Sequence, residues 1–211
     1  GDFNVLIGSS ASGTGGDIVM SAGKTTTTAV GQTGGGVSIG TGTSTKFKSG
    51  EVEIWTNIAG EQGASGHIRL STGSTNQNAI HTGEVFVVTG DASSSEDANS
   101  GDINVKTGTT SSENGVAGTV AVSGGEASGE NGVGGAIALT GGAGTNVDDG
   151  DGGTGGSVSI TGGHTFSGDS TSASKVGGPV SLTGGQAEFS TGGKITLTSG
   201  SGADSTSGQI T

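Results

Sequence analysis

The sequence predicts an all-β protein, a flattened parallel β-solenoid (β-helix) of about 13 coils with a mean period of about 17 residues. Three observations carry that prediction. A nine-residue word, Gly-Gly-x-Val-x-Leu-Thr-Gly-Gly, recurs along the chain. Each copy sets two aliphatic residues two apart between glycines, the alternation expected of a short strand with one buried face. A word that short buries its apolar side only by stacking on further copies, which is the logic of a repeat array.

The word is cleanest at Gly134–Gly142 (GGAIALTGG), Gly155–Gly163 (GGSVSITGG) and Gly177–Gly185 (GGPVSLTGG), with a looser copy at Gly192–Gly200 (GGKITLTSG). In chain order, the first inward residues are Phe3, Ile18, Val37, Val52, Ile68, Val85, Ile103, Val120, Ile137, Val158, Val180, Ile195 and Ile210. The second inward residues follow two positions later: Val5, Met20, Ile39, Ile54, Leu70, Val87, Val105, Val122, Leu139, Ile160, Leu182 and Leu197, the last copy being truncated. From Phe3 to Ile210, 207 residues span twelve intervals, in steps of 15 to 22. A constant strand joined by variable connections is the signature of coils whose loops lie on the surface.

Within each coil, the aliphatic pair is followed by an outward residue, usually a glycine, and then a small residue such as Thr43, Thr75, Ala92, Thr110, Ala127, Thr165 or Ala187. These small residues are expected to form a thinner opposite wall, with glycines at the corners where the backbone needs angles closed to other residues. The longer connections, Gly141 to Gly156 and Gly162 to Gly178, should bulge outward, and the corner at Trp55–Gly60 should be irregular. A sandwich of antiparallel strands is disfavoured because the period is too short for two long strands and their turns. Residues 1–211 are expected to form one array, a segment of a longer repetitive chain, since both ends fall inside copies of the word.

Composition bounds the partners. Of 211 residues, 49 are glycine, 27% are hydrophobic and 3% are aromatic, figures typical of a disordered linker. What argues for order is placement: most Val, Ile and Leu residues fall in the word, while Gly, Ser, Thr, Asn and Asp fill the runs between, which is turn chemistry. Net charge is −12 and no basic stripe is present, so nucleic acid and anionic membrane surfaces are not expected partners. The longest apolar run, Val85–Val88, is far shorter than a membrane span. Cysteine is absent, which removes disulfide and thiol chemistry.

No catalytic constellation emerges, and no enzyme is expected. Gly23-Lys24-Thr25 has the ending of a phosphate-binding loop, but Ile18 stands where that loop needs glycine and no helix former follows. His67, His81 and His164 are isolated from one another and from carboxylates at ligand spacing. No cofactor is expected other than calcium, whose candidate ligands are Asp148, Asp149 and Asp151 with Asn146 nearby in one glycine-rich loop. Their spacing matches neither the EF-hand nor the calcium-binding nonapeptide pattern.

The outward face of the words supplies the candidate interface. Thr140, Thr161, Thr183 and Thr198 are expected to form a flat, uncharged rank in the later coils. Trp55, Phe86 and Val88 should make an apolar patch in the earlier ones, where Glu53 and Arg69 would be ladder neighbours. The Gly-x-Ile-x-Val-x-Thr-Gly words resemble the Gly/Ser/Thr-rich tandem repeats of cell-surface and cell-wall-associated β-solenoid proteins of diatoms and other microalgae. That resemblance implies an extracellular or cell-surface structural role: a rigid rod, fibre segment, spacer or adhesive element. Self-association end to end or laterally, and contact with cell-wall components, are the partners it implies. An ice-binding solenoid with a flat Ser/Thr face is the alternative. A carbohydrate-binding or carbohydrate-active β-helix ranks third, since it needs clustered carboxylates and aromatic platforms.

Overall fold

The structure is a computed structural model, and it describes residues 1–11, 14–27, 29–75, 81–93, 98–146, 153–166, 176–202 and 206–211. Among the described residues there is no helix, no strand and no sheet. The expected flattened parallel β-solenoid is therefore corrected: the described residues are coil, punctuated by turns and by backbone bonds between glycines. β-helix and all-β architecture are both set aside.

The reason lies in where apolar surface and hydrogen bonds go. A stacked coil would seal both inward residues of every word. Instead Val158 is 52% and Ile160 65% exposed, and no described residue is buried. The accessible surface is 20833 Å². A compact chain of this mass would show about 8,600 Å² and an extended one about 28,600 Å². With so few apolar residues and so many glycines, the hydrophobic gain does not offset the chain entropy of ordering.

Backbone bonds also avoid the ladder. A parallel coil would join equivalent residues one period apart. The observed long-range bonds join the glycine at the second position of a word, two before its first aliphatic residue, to the glycine that ends the preceding word, shutting the intervening segment into a loop. A glycine stands two positions before the first aliphatic residue in all thirteen copies, from Gly1 to Gly208.

Contacts divide the chain into two units, Gly1–Ile103 and Asn104–Thr211. In the first, Gly35 N–H donates to Gly23 O at 2.9 Å and Gly50 N–H to Gly42 O at 3.0 Å. The 23–35 loop has a second tie, from the Thr25 hydroxyl to Thr33 O at 2.6 Å, and it reverses at Val30–Gly31, where Gly31 has φ 83°. Four necks are shaped by threonine: a Cβ on Gly50, Gly66, Gly83 or Gly101 would meet Thr41, Thr56, Thr72 or Thr89, at 3.0, 3.4, 3.4 and 3.7 Å. At the Trp55–Gly60 corner, Asn57 takes the usual glycine's place and its Oδ1 accepts from Ile58 N–H at 2.8 Å. Gly63 N–H then donates to Gly60 O at 3.3 Å.

The second unit begins with one more threonine neck, Thr107 against Gly118, and then changes to glycine-on-glycine. Gly135, Gly156, Gly178 and Gly193 donate to the carbonyls of Gly125, Gly142, Gly163 and Gly185 at 2.8 to 2.9 Å, and Gly208 donates to Gly200 O at 3.0 Å. A Cβ on Gly124, Gly141, Gly162 or Gly184 would overlap the carbonyl oxygen of Gly135, Gly156, Gly178 or Gly193. The glycines expected at solenoid corners thus serve close approach instead. Among the described residues, Gly31 is the one glycine with φ in the left-handed region.

Partial cover concentrates at these necks. Thr107, Gly141, Gly162, Gly184 and Ser199, each four residues after the first aliphatic of its word, are half-covered, as is Thr25. Every other described residue is exposed. The residues expected to form a thin opposite wall lie just inside the loops. Thr165 shows this best: its hydroxyl donates to Val176 O at 2.8 Å, a second rung behind the Gly163–Gly178 neck.

Candidate functional site

The expected interface residues are all on the surface. Trp55, Phe86 and Val88 are exposed, yet nothing draws them into one patch. Trp55 sits on one word of the first unit and Phe86 and Val88 share another, two words later, and without a sheet no register holds those words side by side. Glu53 and Arg69 are likewise exposed, with no ladder to make them neighbours. Thr140, Thr161, Thr183 and Thr198 are exposed too, each one residue before a half-covered neck position. The flat rank expected of them needs strands at a fixed spacing, and the described residues contain none.

Asp148, Asp149 and Asp151 lie outside the described residues. Among those described, no group of three His, Cys, Asp or Glu side chains gathers where it could hold a metal ion. His164 lies 6.2 Å from Phe166, ring centroid to centroid, with planes 25° apart, so this histidine packs on an aromatic neighbour just past a neck. No described helix is long and apolar enough to cross a membrane.

Gly185, Gln186, Ala187, Glu188 and Gly192 line an open hollow of about 690 Å³ within the segment closed by the Gly193–Gly185 bond. Its chemistry is sparse: one carboxylate, one carboxamide and backbone. Glycoside cleavage uses two facing carboxylates, and this hollow supplies one.

Sequence reasoning passed over two tight turns in the second unit. Gly115 N–H donates to Ser112 O at 3.0 Å, and Gly132 N–H to Gly129 O at 2.9 Å. The third residue of each is an asparagine at positive φ, 64° for Asn114 and 59° for Asn131. That position of a type II turn requires positive φ, which asparagine tolerates better than other side chains. The signal was available: Glu-Asn-Gly occurs at 113–115 and at 130–132, and Asn-Gly is a strong turn dipeptide.

No family model, curated protein or solved structure matches the chain.

Proposed function

We propose that the chain is a structural repeat protein of the cell surface or extracellular space, a spacer or adhesive element that works by contact with further copies of itself. One observation carries this reading: the apolar pair of word after word faces solvent. Ile137 and Leu139 are 51% and 71% exposed, whereas isolated loop residues such as Val133 reach 89%. A single exposed aliphatic is ordinary; a regular series of them, in segments whose backbone is not engaged in a helix or sheet, is a surface suited to association. Extended segments gain main-chain bonds by pairing with another extended chain, and alternating side chains then meet across the pair. The rigidity of a stacked rod is no part of this reading. The threonine rank required for ice binding lacks the sheet that would hold it flat, and no observation favours that alternative.

Sedimentation velocity over a concentration series tests the proposal. Mean mass should rise with concentration, and the double substitution Ile137→Asp with Leu139→Asp should lower it by placing charge where two copies meet. A chain that stays monomeric throughout, or assembly indifferent to those substitutions, overturns it.

A further inference from the structure

We propose that Asn114 and Asn131 are sites of spontaneous deamidation, held in check by the turns that contain them. They form the two Asn-Gly pairs of the sequence, and both are exposed. The reaction begins when the backbone nitrogen of the following residue attacks the asparagine side-chain carbonyl carbon. A bond forms from Gly115 N to Asn114 Cγ, the Cγ–Nδ2 bond breaks, ammonia leaves, and the glycine N–H proton passes to solvent. Water then opens the cyclic imide at either carbonyl, giving aspartate or, with the main chain rerouted through Cγ, isoaspartate. Water is the only co-reactant.

Two features of the structure make these positions special. Glycine has no Cβ to shield its nitrogen, whereas Asn4, Asn57 and Asn104 are followed by Val5, Ile58 and Val105, all β-branched. At Asn57 the neighbouring nitrogen is also directed at Oδ1, 2.8 Å away, rather than left free to reach the carbon. Opposing this, the attacking N–H of Gly115 and of Gly132 is engaged as the donor that closes its turn. Reaction therefore waits on turn opening. The isoaspartate product prevents reclosure, because it adds a backbone atom at the position that must adopt positive φ, and either product puts a carboxylate beside Glu113 or Glu130.

The test is prolonged incubation of the full chain at neutral and mildly alkaline pH, followed by peptide mass mapping and isoaspartyl methyltransferase labelling. The amide-to-acid mass gain should appear at Asn114 and Asn131 well before Asn4, Asn57 or Asn104, faster at the higher pH, with isoaspartate the main product. A Cβ on Gly115 or Gly132 would crowd its own turn, against Thr110 Oγ1 at 2.5 Å or Gly129 O at 2.9 Å, so the alanine variants are compared in urea, where the turns are open. There Gly115→Ala should slow conversion at Asn114 severalfold while leaving Asn131 as an internal control, and Gly132→Ala should do the converse. Urea should speed conversion at both sites severalfold. Equal conversion at Asn57, no conversion at either Asn-Gly pair, or rates indifferent to the alanine variants or to urea would each overturn the proposal.

Discussion

At the scale of single residues, glycine here makes room rather than bends the chain. Gly162 lies against the carbonyl of Gly178 so closely that any Cβ would overlap it, and the Gly178 N–H reaches Gly163 O at 2.9 Å from the same face. Gly162→Ala should therefore part the neck. In an amide-resolved NMR spectrum, the temperature coefficient of the Gly178 N–H should shift to that of a solvent-exposed amide, while Gly193, in the next neck, keeps its value. An unchanged Gly178 would mean that the close approach is not needed. Asn131 makes the complementary case, because there a backbone angle does matter. Asn131→Ala should cost the turn about 1 kcal/mol, as a side chain without the local polar group is forced into the left-handed region. Asn131→Gly should be tolerated, as read from the population of the Gly132-to-Gly129 bond.

At the scale of elements, magnitudes show why loops form and sheets do not. Closing a loop of about ten residues costs roughly 2 kcal/mol before constant terms, since the cost grows only with the logarithm of length. One exposed backbone bond returns about 1 kcal/mol. A single rung is thus marginal, which is why a second tie such as Thr165 to Val176 counts. The sequence shows where words and glycines fall, and the structure uses the glycines as necks between words. It could not show the fold class. Period-two alternation says that a strand would have one apolar face, not that anything lies there to cover it. Ile137 and Leu139 keep the spacing of a buried pair while remaining in water. Of the candidate site, the outward position of Thr140, Thr161, Thr183 and Thr198 was readable, but their alignment depended on a register that only a sheet imposes. The turns at Asn114 and Asn131 are readable from their Asn-Gly dipeptides, which lie between the words and carry no part of the aliphatic period.

At the scale of the whole molecule, the consequence is an absence of cooperativity. Unfolding transitions are sharp in proportion to the surface they expose, and a chain already showing 20833 Å² has less than half as much left to expose as a compact chain of its mass. A urea titration of the dilute chain should drift without a sigmoidal step, and calorimetry should give no heat-absorption peak. A single sharp transition in either would show that the words are covered after all. The necks are local, each joining residues 8 to 15 apart, so losing one leaves the others in place.

A neck of this kind also acts as a fuse under tension. When the chain is pulled from its two ends, the load crosses each Gly-to-Gly bond before it reaches the slack behind it. The 15-residue separation between Gly163 and Gly178 stores up to about 50 Å of contour, released when one weak bond gives way and recovered when it re-forms. Loops of unequal length would then yield in turn, so that work is absorbed by hydrogen bonds that heal, while the covalent chain is spared.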